Sequence, residues 1–189
     1  MRNSAAMGPN RQRDPFEFRI VDSVQELERL IRRRHADGFT ARLAAGFCWN
    51  WSDPTLAGQL VPDVKVGNWS MPWNAKPDAG RLAAGIPTSN FWASDSRGVN
   101  QVGCVYTAQG FEFDYCGVIF GRDLRFDATA AQWVGDHAES RDPQVRRSGD
   151  AFLALVKNTY RVLLTRGLKG CYVFFQDEAT KAFVRSRIE

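Results

Sequence analysis

The chain has 189 residues with 44% hydrophobic content, enough for one globular domain with a real core, and 25 basic against 21 acidic residues give a net charge of +4. That balance permits contact with a polyanion without requiring it. No apolar run approaches the roughly eighteen residues needed to cross a bilayer, so a soluble, cytoplasmic protein with no membrane partner is expected. Cys48, Cys104, Cys116 and Cys171 sit in apolar segments without CxxC spacing, which favours buried reduced thiols over a zinc site or a disulfide framework. Only His35 and His137 are available as histidines, so neither a metal site nor a His-dependent triad has support in the sequence.

Residues 1–15, with Gly8, Pro9 and Pro15 among scattered arginines, read as a loose leader, and 16–189 as one lobe. Ser23 and Glu26 stand at capping-box spacing, and Val24, Leu27, Leu30 and Ile31 follow at helical intervals, which predicts a helix over 23–36 ended by Asp37-Gly38. Arg32, Arg33 and Arg34 in its last turn either complement the helix dipole or form a basic patch. Residues 39–49 read as a core strand leading into the loop at 50–54. The stretch 56–100 carries Pro62, Pro72, Pro77 and Pro87 and reads as an irregular insertion with one strand near 64–69. Its Trp69, Trp73 and Trp92 either pack the insertion onto the body or serve as platforms for stacking bases.

Val102 to Tyr106 reads as a short strand and Tyr115 to Phe120 as a second one, buried on both faces. Between them lies Gln109-Gly110-Phe111-Glu112-Phe113-Asp114. Gly110 allows a sharp turn or a close approach to a ligand, and Gln109 and Glu112 place an amide and a carboxylate there. Residues 123–147 are expected to form an edge hairpin or loops. From Asp150, the spacing of Phe152, Leu155, Val156, Tyr160 and Leu163 predicts a helix ending near Thr165 to Gly167. Arg166 gives that end a guanidinium, the side chain best shaped for a phosphate. Cys171 to Phe175 reads as a further core strand, and Asp177 caps a last helix with Ala182, Phe183 and Ile188 facing inward. The alternation indicates an α/β layer with a mainly parallel sheet flanked by helices, in which ligands sit at strand ends.

The segments Gly103 to Tyr115 and Asn158 to Gly167 resemble motifs V and VI of superfamily-one helicases in residues, order and spacing. Together with Ala41 to Trp51, Met71-Pro72-Trp73-Asn74 and Lys169 to Val173, they make the chain from about residue 20 onward similar to the C-terminal part of the Schlafen group-three-like DNA/RNA helicase domain. The resemblance implies the C-terminal, RecA-like lobe of a P-loop NTPase. It implies that Arg166 is a catalytic arginine finger, that Gln109, Gly110, Glu112, Thr165 and Arg161 belong to the nucleotide side, and that Tyr106, Thr107, Trp73 and Asn74 belong to the nucleic-acid side. Tyr106 stands where many relatives have a histidine.

No Gly-x-x-x-x-Gly-Lys-Ser/Thr loop occurs in the sequence, nor an acidic pair ending an apolar strand to hold Mg²⁺. The expectation is therefore one lobe of two, excised from a longer protein or encoded as a truncated gene, which does not hydrolyse ATP alone. ATP and Mg²⁺ would be bound only in the complete enzyme, with an N-terminal phosphate-loop lobe supplied in cis or in trans, and single-stranded DNA or RNA as partner. The rival readings are a non-catalytic module that binds single strands or a partner, and a degenerate helicase remnant.

Overall fold

A computed structural model describes residues 15–188; the leader expected at 1–15 lies outside the described residues except for Pro15. In chain order the elements are β1 (Glu17–Ile20), α1 (Val24–Ala36), β2 (Ala41–Ala45), the hairpin of β3 (Val64–Val66) and β4 (Trp69–Met71), β5 (Val102–Gly103), and the single turn α2 (Val105–Ala108). Then come β6 (Phe113–Phe120), the hairpin of β7 (Leu124–Asp127) and β8 (Gln132–Gly135), the short α3 (Pro143–Arg146), α4 (Phe152–Leu164), β9 (Gly167–Phe175) and α5 (Glu178–Arg185). Five strands form one sheet in the order β1-β9-β6-β2-β5, with every pairing parallel. The architecture is α/β, compatible with a RecA-like lobe.

The central strands β6 and β9 are apolar on both faces because helices cover both. Tyr115, Ile119, Tyr172 and Phe174 pack with Leu27 and Ile31 of α1, whereas Cys116, Val118, Phe120, Cys171, Val173 and Phe175 pack with Phe152, Val156, Tyr160 and Leu163 of α4. Gly117 lets α1 approach β6 closely: a Cβ there would stand 2.7 Å from Ile31 and 2.8 Å from Leu43. Ser23 caps α1 as the spacing predicts, its hydroxyl accepting from the Glu26 amide at 3.1 Å. Arg34 in the last turn is taken up by Glu17 and Tyr172, and Arg32 by Glu28 and Asn100.

Several sequence expectations are corrected. The strand over 102–106 stops at Gly103, and Val105 to Ala108 make a helical turn in which the Thr107 hydroxyl accepts from the Cys104 amide at 3.0 Å. Local β-propensity is overridden by this cap and by the Ala108 and Gln109 amides, which donate to the Cys104 and Val105 carbonyls. The single strand near 64–69 is a hairpin, turning at Gly67-Asn68 with Gly67 at φ +58°, where glycine is at ease. Leu155, expected in the inward stripe of α4, is exposed. Of the three residues expected to face inward in the last helix, Ala182 is exposed, Ile188 is exposed beyond the end of α5, and Phe183 packs, stacked on Phe126. Beside Phe183 and Val184, α5 also buries polar groups: the Thr180 hydroxyl accepts from the Phe126 amide, and Lys181 pairs with Asp22 and Glu178.

The insertion at 56–100 is tied down rather than loose. Trp69, Trp73 and Trp92 are all buried, which decides between packing and stacking platforms in favour of packing. Trp92 lies against Gly103 so tightly that a Cβ there would come within 2.2 Å of the ring. The tryptophan N–H groups donate to Glu28 from Trp69 and to the Asn50 carbonyl from Trp73, satisfying their polar ends. Arg42, 2% exposed on β2, donates to the carbonyls of Trp92, Ala93 and Asp95 and of its neighbour Ala41, at 2.6 to 3.0 Å.

Candidate functional site

The turn between α2 and β6 is built by Gly110, whose φ of +86° belongs to the left-handed region. Gln109 closes α2, its amide donating to the Val105 carbonyl, and Phe111 donates to Ala108. A register shift between Phe113 and Tyr115 follows, and it returns Phe113 to the α4 side of the sheet together with Cys116. At the end of α4, the chain enters β9 through Thr165 and Arg166. The two segments meet there: the Phe113 amide donates to the Arg166 carbonyl at 2.8 Å, and an Arg166 Nη donates to the Phe111 carbonyl at 3.2 Å.

Ligand crevices in doubly wound sheets open at the carboxyl ends of strands. Gln109 to Glu112 and Thr165-Arg166 instead gather at the amino ends of β6 and β9, because both segments enter their strands rather than leave them. Arg166 also donates through Nε to the Val162 carbonyl at 3.0 Å and through Nη to the Thr165 hydroxyl at 3.3 Å. These bonds seat a cation on the C-terminus of α4, where the helix dipole favours it. Three of the five guanidinium N–H donors are thereby engaged, which leaves two for a ligand. Glu112 and Gln109 are exposed on the same turn, and Glu112 makes no ion pair among the described residues.

Of the residues expected on the nucleotide side, Arg161 makes no side-chain hydrogen bond to this junction among the described residues. The Thr165 hydroxyl bonds back to Arg161 and Val162, and Arg161 bonds to Asn158. Both border an apolar groove of about 480 Å³ over Phe120, Tyr160 and Phe175. Beside the junction stands a cluster that sequence reasoning missed. Asp114 accepts from the Thr40 amide and hydroxyl at 2.9 Å and pairs with Lys169 at 2.9 Å. Burial alone would raise the Asp114 carboxyl, but the bonds from Lys169 and Thr40 outweigh it and hold it below the usual carboxylate range. Asp114 was visible as the last residue of the Gln109 to Asp114 segment; its partners, far away in sequence, were not.

Of the residues expected to contact nucleic acid, Trp73 and Asn74 are 1% and 0% exposed. This corrects their expected role as contact residues, since a ring and an amide without solvent-facing surface cannot stack or pair with a base. Their work is internal: Asn74 Oδ1 accepts from the Thr107 hydroxyl at 3.0 Å, and Trp73 packs among Phe47, Trp49 and Trp51. Thr107 is thus a brace between α2 and the insertion. Tyr106 is 49% exposed, with its hydroxyl donated to Asp142 at 2.6 Å.

The opposite, carboxyl edge of the sheet holds a second buried network. The Tyr160 hydroxyl donates to Asp123 at 2.5 Å and accepts from the Gly121 amide at 2.9 Å. Burial raises the Asp123 carboxyl above its ordinary value of 3.8, with Glu139 adding to the effect against the bonds from Tyr160 and Cys48. A carboxyl with a raised folded pKa binds more protons when folded, so its contribution to stability declines as pH rises from about 4 through the folded pKa. Asp123→Asn is expected to flatten the decline of the urea midpoint over that range. An unchanged pH profile in the variant would show that Asp123 does not carry it. Among the described residues, no grouping of His, Cys, Asp and Glu is placed to hold a metal ion, and no helix is long and apolar enough to cross a membrane.

A family model described as the Schlafen group 3, DNA/RNA helicase domain matches residues 2–177. An uncharacterized protein of Saccharomyces cerevisiae is 33% identical over 93 residues, a match covering 46% of this chain and 20% of that protein. The chain thus spans about a fifth of the curated relative it matches. No solved structure matches.

Proposed function

The chain belongs to the Schlafen group 3, DNA/RNA helicase domain family, and from that membership we propose that it is the C-terminal lobe of a nucleic-acid-dependent ATPase, supplying one side of an ATP site. The observation that carries this reading is the hydrogen bond from the Arg166 guanidinium to the Phe111 carbonyl, which fixes the two motif segments at one sheet edge. Arg166 is the arginine finger in this reading, its two unengaged donors directed at the γ-phosphate, where charge develops during transfer. Gln109, Gly110 and Glu112 border the nucleotide, with Glu112 offered to the sugar, while Thr165 holds the Arg166 fork in place. In this reading Mg²⁺ and the phosphate cradle belong to a phosphate-loop lobe in cis or in trans, and the Arg166 guanidinium meets a phosphoryl oxygen from this side. Movement along single-stranded DNA or RNA would be the activity of the complete assembly.

The test is ATP hydrolysis by the purified chain, alone and mixed with a phosphate-loop lobe of the same family. The chain alone is expected to show no Mg²⁺-dependent turnover, and the mixture is expected to show it. Robust turnover by the chain alone would sink the two-lobe reading. Strand binding with no turnover in any mixture would favour the non-catalytic module.

A further inference from the structure

Next to the motif turn, on the insertion side, lies an open cavity of about 640 Å³, within the range of small-molecule sites. Its walls include the rings of Trp51, Tyr106 and Phe111, and its polar groups come from Ser89, Asn90 and Gln144. No residue lining it is charged. That composition suits an uncharged planar ring with hydrogen-bonding edges, and it is poor for a phosphate, which seeks cations or helix N-termini.

Two of the rings are fixed by their polar ends. The Tyr106 hydroxyl is bound to Asp142, itself buried and capping α3, and the Trp51 N–H donates to the Asn74 carbonyl at 2.8 Å. Both therefore line the cavity with their polar atoms already satisfied. The carboxamides of Asn90 and Gln144 and the Ser89 hydroxyl make no side-chain hydrogen bond among the described residues, so their donors and acceptors are free for a ligand. Phe111 belongs at once to this cavity and to the Arg166 junction, so an occupant here would touch the turn that carries Gln109 to Glu112.

We propose that this cavity receives a single unstacked nucleobase of a bound strand, stacked on Tyr106 and Trp51 and bonded along its edge by Asn90 and Gln144. The proposal rests on the reading of this lobe as a nucleic-acid-binding one and names what part of the strand it grips. Base–aromatic stacking is sequence-tolerant, whereas the carboxamides would add a preference among bases.

The test is fluorescence anisotropy with the full chain and labelled single strands of about 12 nucleotides, one of thymidines, one of adenosines and one wholly abasic. Both base-bearing strands are expected to bind about tenfold or more tighter than the abasic strand. Tyr106→Ala should weaken the base-bearing strands about tenfold and leave the abasic strand unchanged, while Tyr106→Phe, which keeps the ring, should retain binding. Asn90→Ala with Gln144→Ala should narrow the difference between thymidine and adenosine strands. In parallel, a strand carrying 4-thiothymidine should photocrosslink to peptides containing Trp51, Tyr106 or Phe111. Equal binding of abasic and base-bearing strands would overturn the base pocket while leaving the nucleic-acid reading standing. Crosslinks confined to other surfaces would do the same, and binding of no strand at all would overturn both.

Discussion

Replacing Arg166 with alanine in a complete, two-lobed enzyme is expected to lower ATP turnover by about 10³-fold or more, because arginine fingers contribute on the order of 10³ to 10⁵ in rate. Nucleotide binding should fall much less, since the guanidinium acts most strongly on charge that develops in the transition state. Lysine is the sharper control. Arg166→Lys keeps a cation but loses the planar fork that bonds Phe111, Val162 and Thr165 together, so a finger should fail in this variant too. Near-normal turnover in both variants, with melting temperatures unchanged, would reduce Arg166 to a C-terminal helix cap worth about 1 kcal/mol or less.

The second large effect concerns stability. Arg42 carries its charge inside the sheet, where burial pushes its pKa down to about 10, still high enough to keep the guanidinium charged at neutral pH. Four backbone carbonyls share that cation, three of them on the 92–95 segment. Arg42→Ala strands the Trp92 and Ala93 carbonyls, while the Asp95 carbonyl keeps its bond from the Gly98 amide, and is expected to cost about 2 kcal/mol or more, at roughly 1 to 3 kcal/mol per unsatisfied buried group. Arg42→Met, which keeps most of the volume and none of the donors, should fare nearly as badly. Urea denaturation of both variants checks this, and a loss below about 1 kcal/mol in either would show that the staple is not what holds the insertion.

The parts of this fold that could be read from sequence are those set by local pattern. The cap at Ser23, the stripe of Leu27 and Ile31, and the apolar runs in β6 and β9 each carry their signal within a few residues. What could not be read depends on partners far along the chain. Val105-Tyr106-Thr107 has the composition of a strand, and it turns into a helix where Thr107 caps the Cys104 amide and is itself held by Asn74, some thirty residues earlier. Arg42 was visible as a lone charge in an alanine-rich strand, but its acceptors lie some fifty residues on. Resemblance brought Gln109 to Glu112 and Thr165-Arg166 together on one list of site residues; only the parallel register of β6 with β9 places them at the amino edge. The burial of Trp73 and Asn74, which the resemblance places on the nucleic-acid side, likewise depends on partners far along the chain.

The most direct measurement is the position of Arg166 in a crystal structure of the complete two-lobed enzyme bound to ADP, Mg²⁺ and a fluoride mimic of the transferring phosphoryl group. The expected result is a guanidinium Nη within about 2.7 to 3.2 Å of the mimic, with Gln109 and Glu112 bordering the same nucleotide. An Arg166 fork that lies outside the nucleotide site, while another residue reaches the mimic, would contradict the assignment of this lobe as the source of the finger.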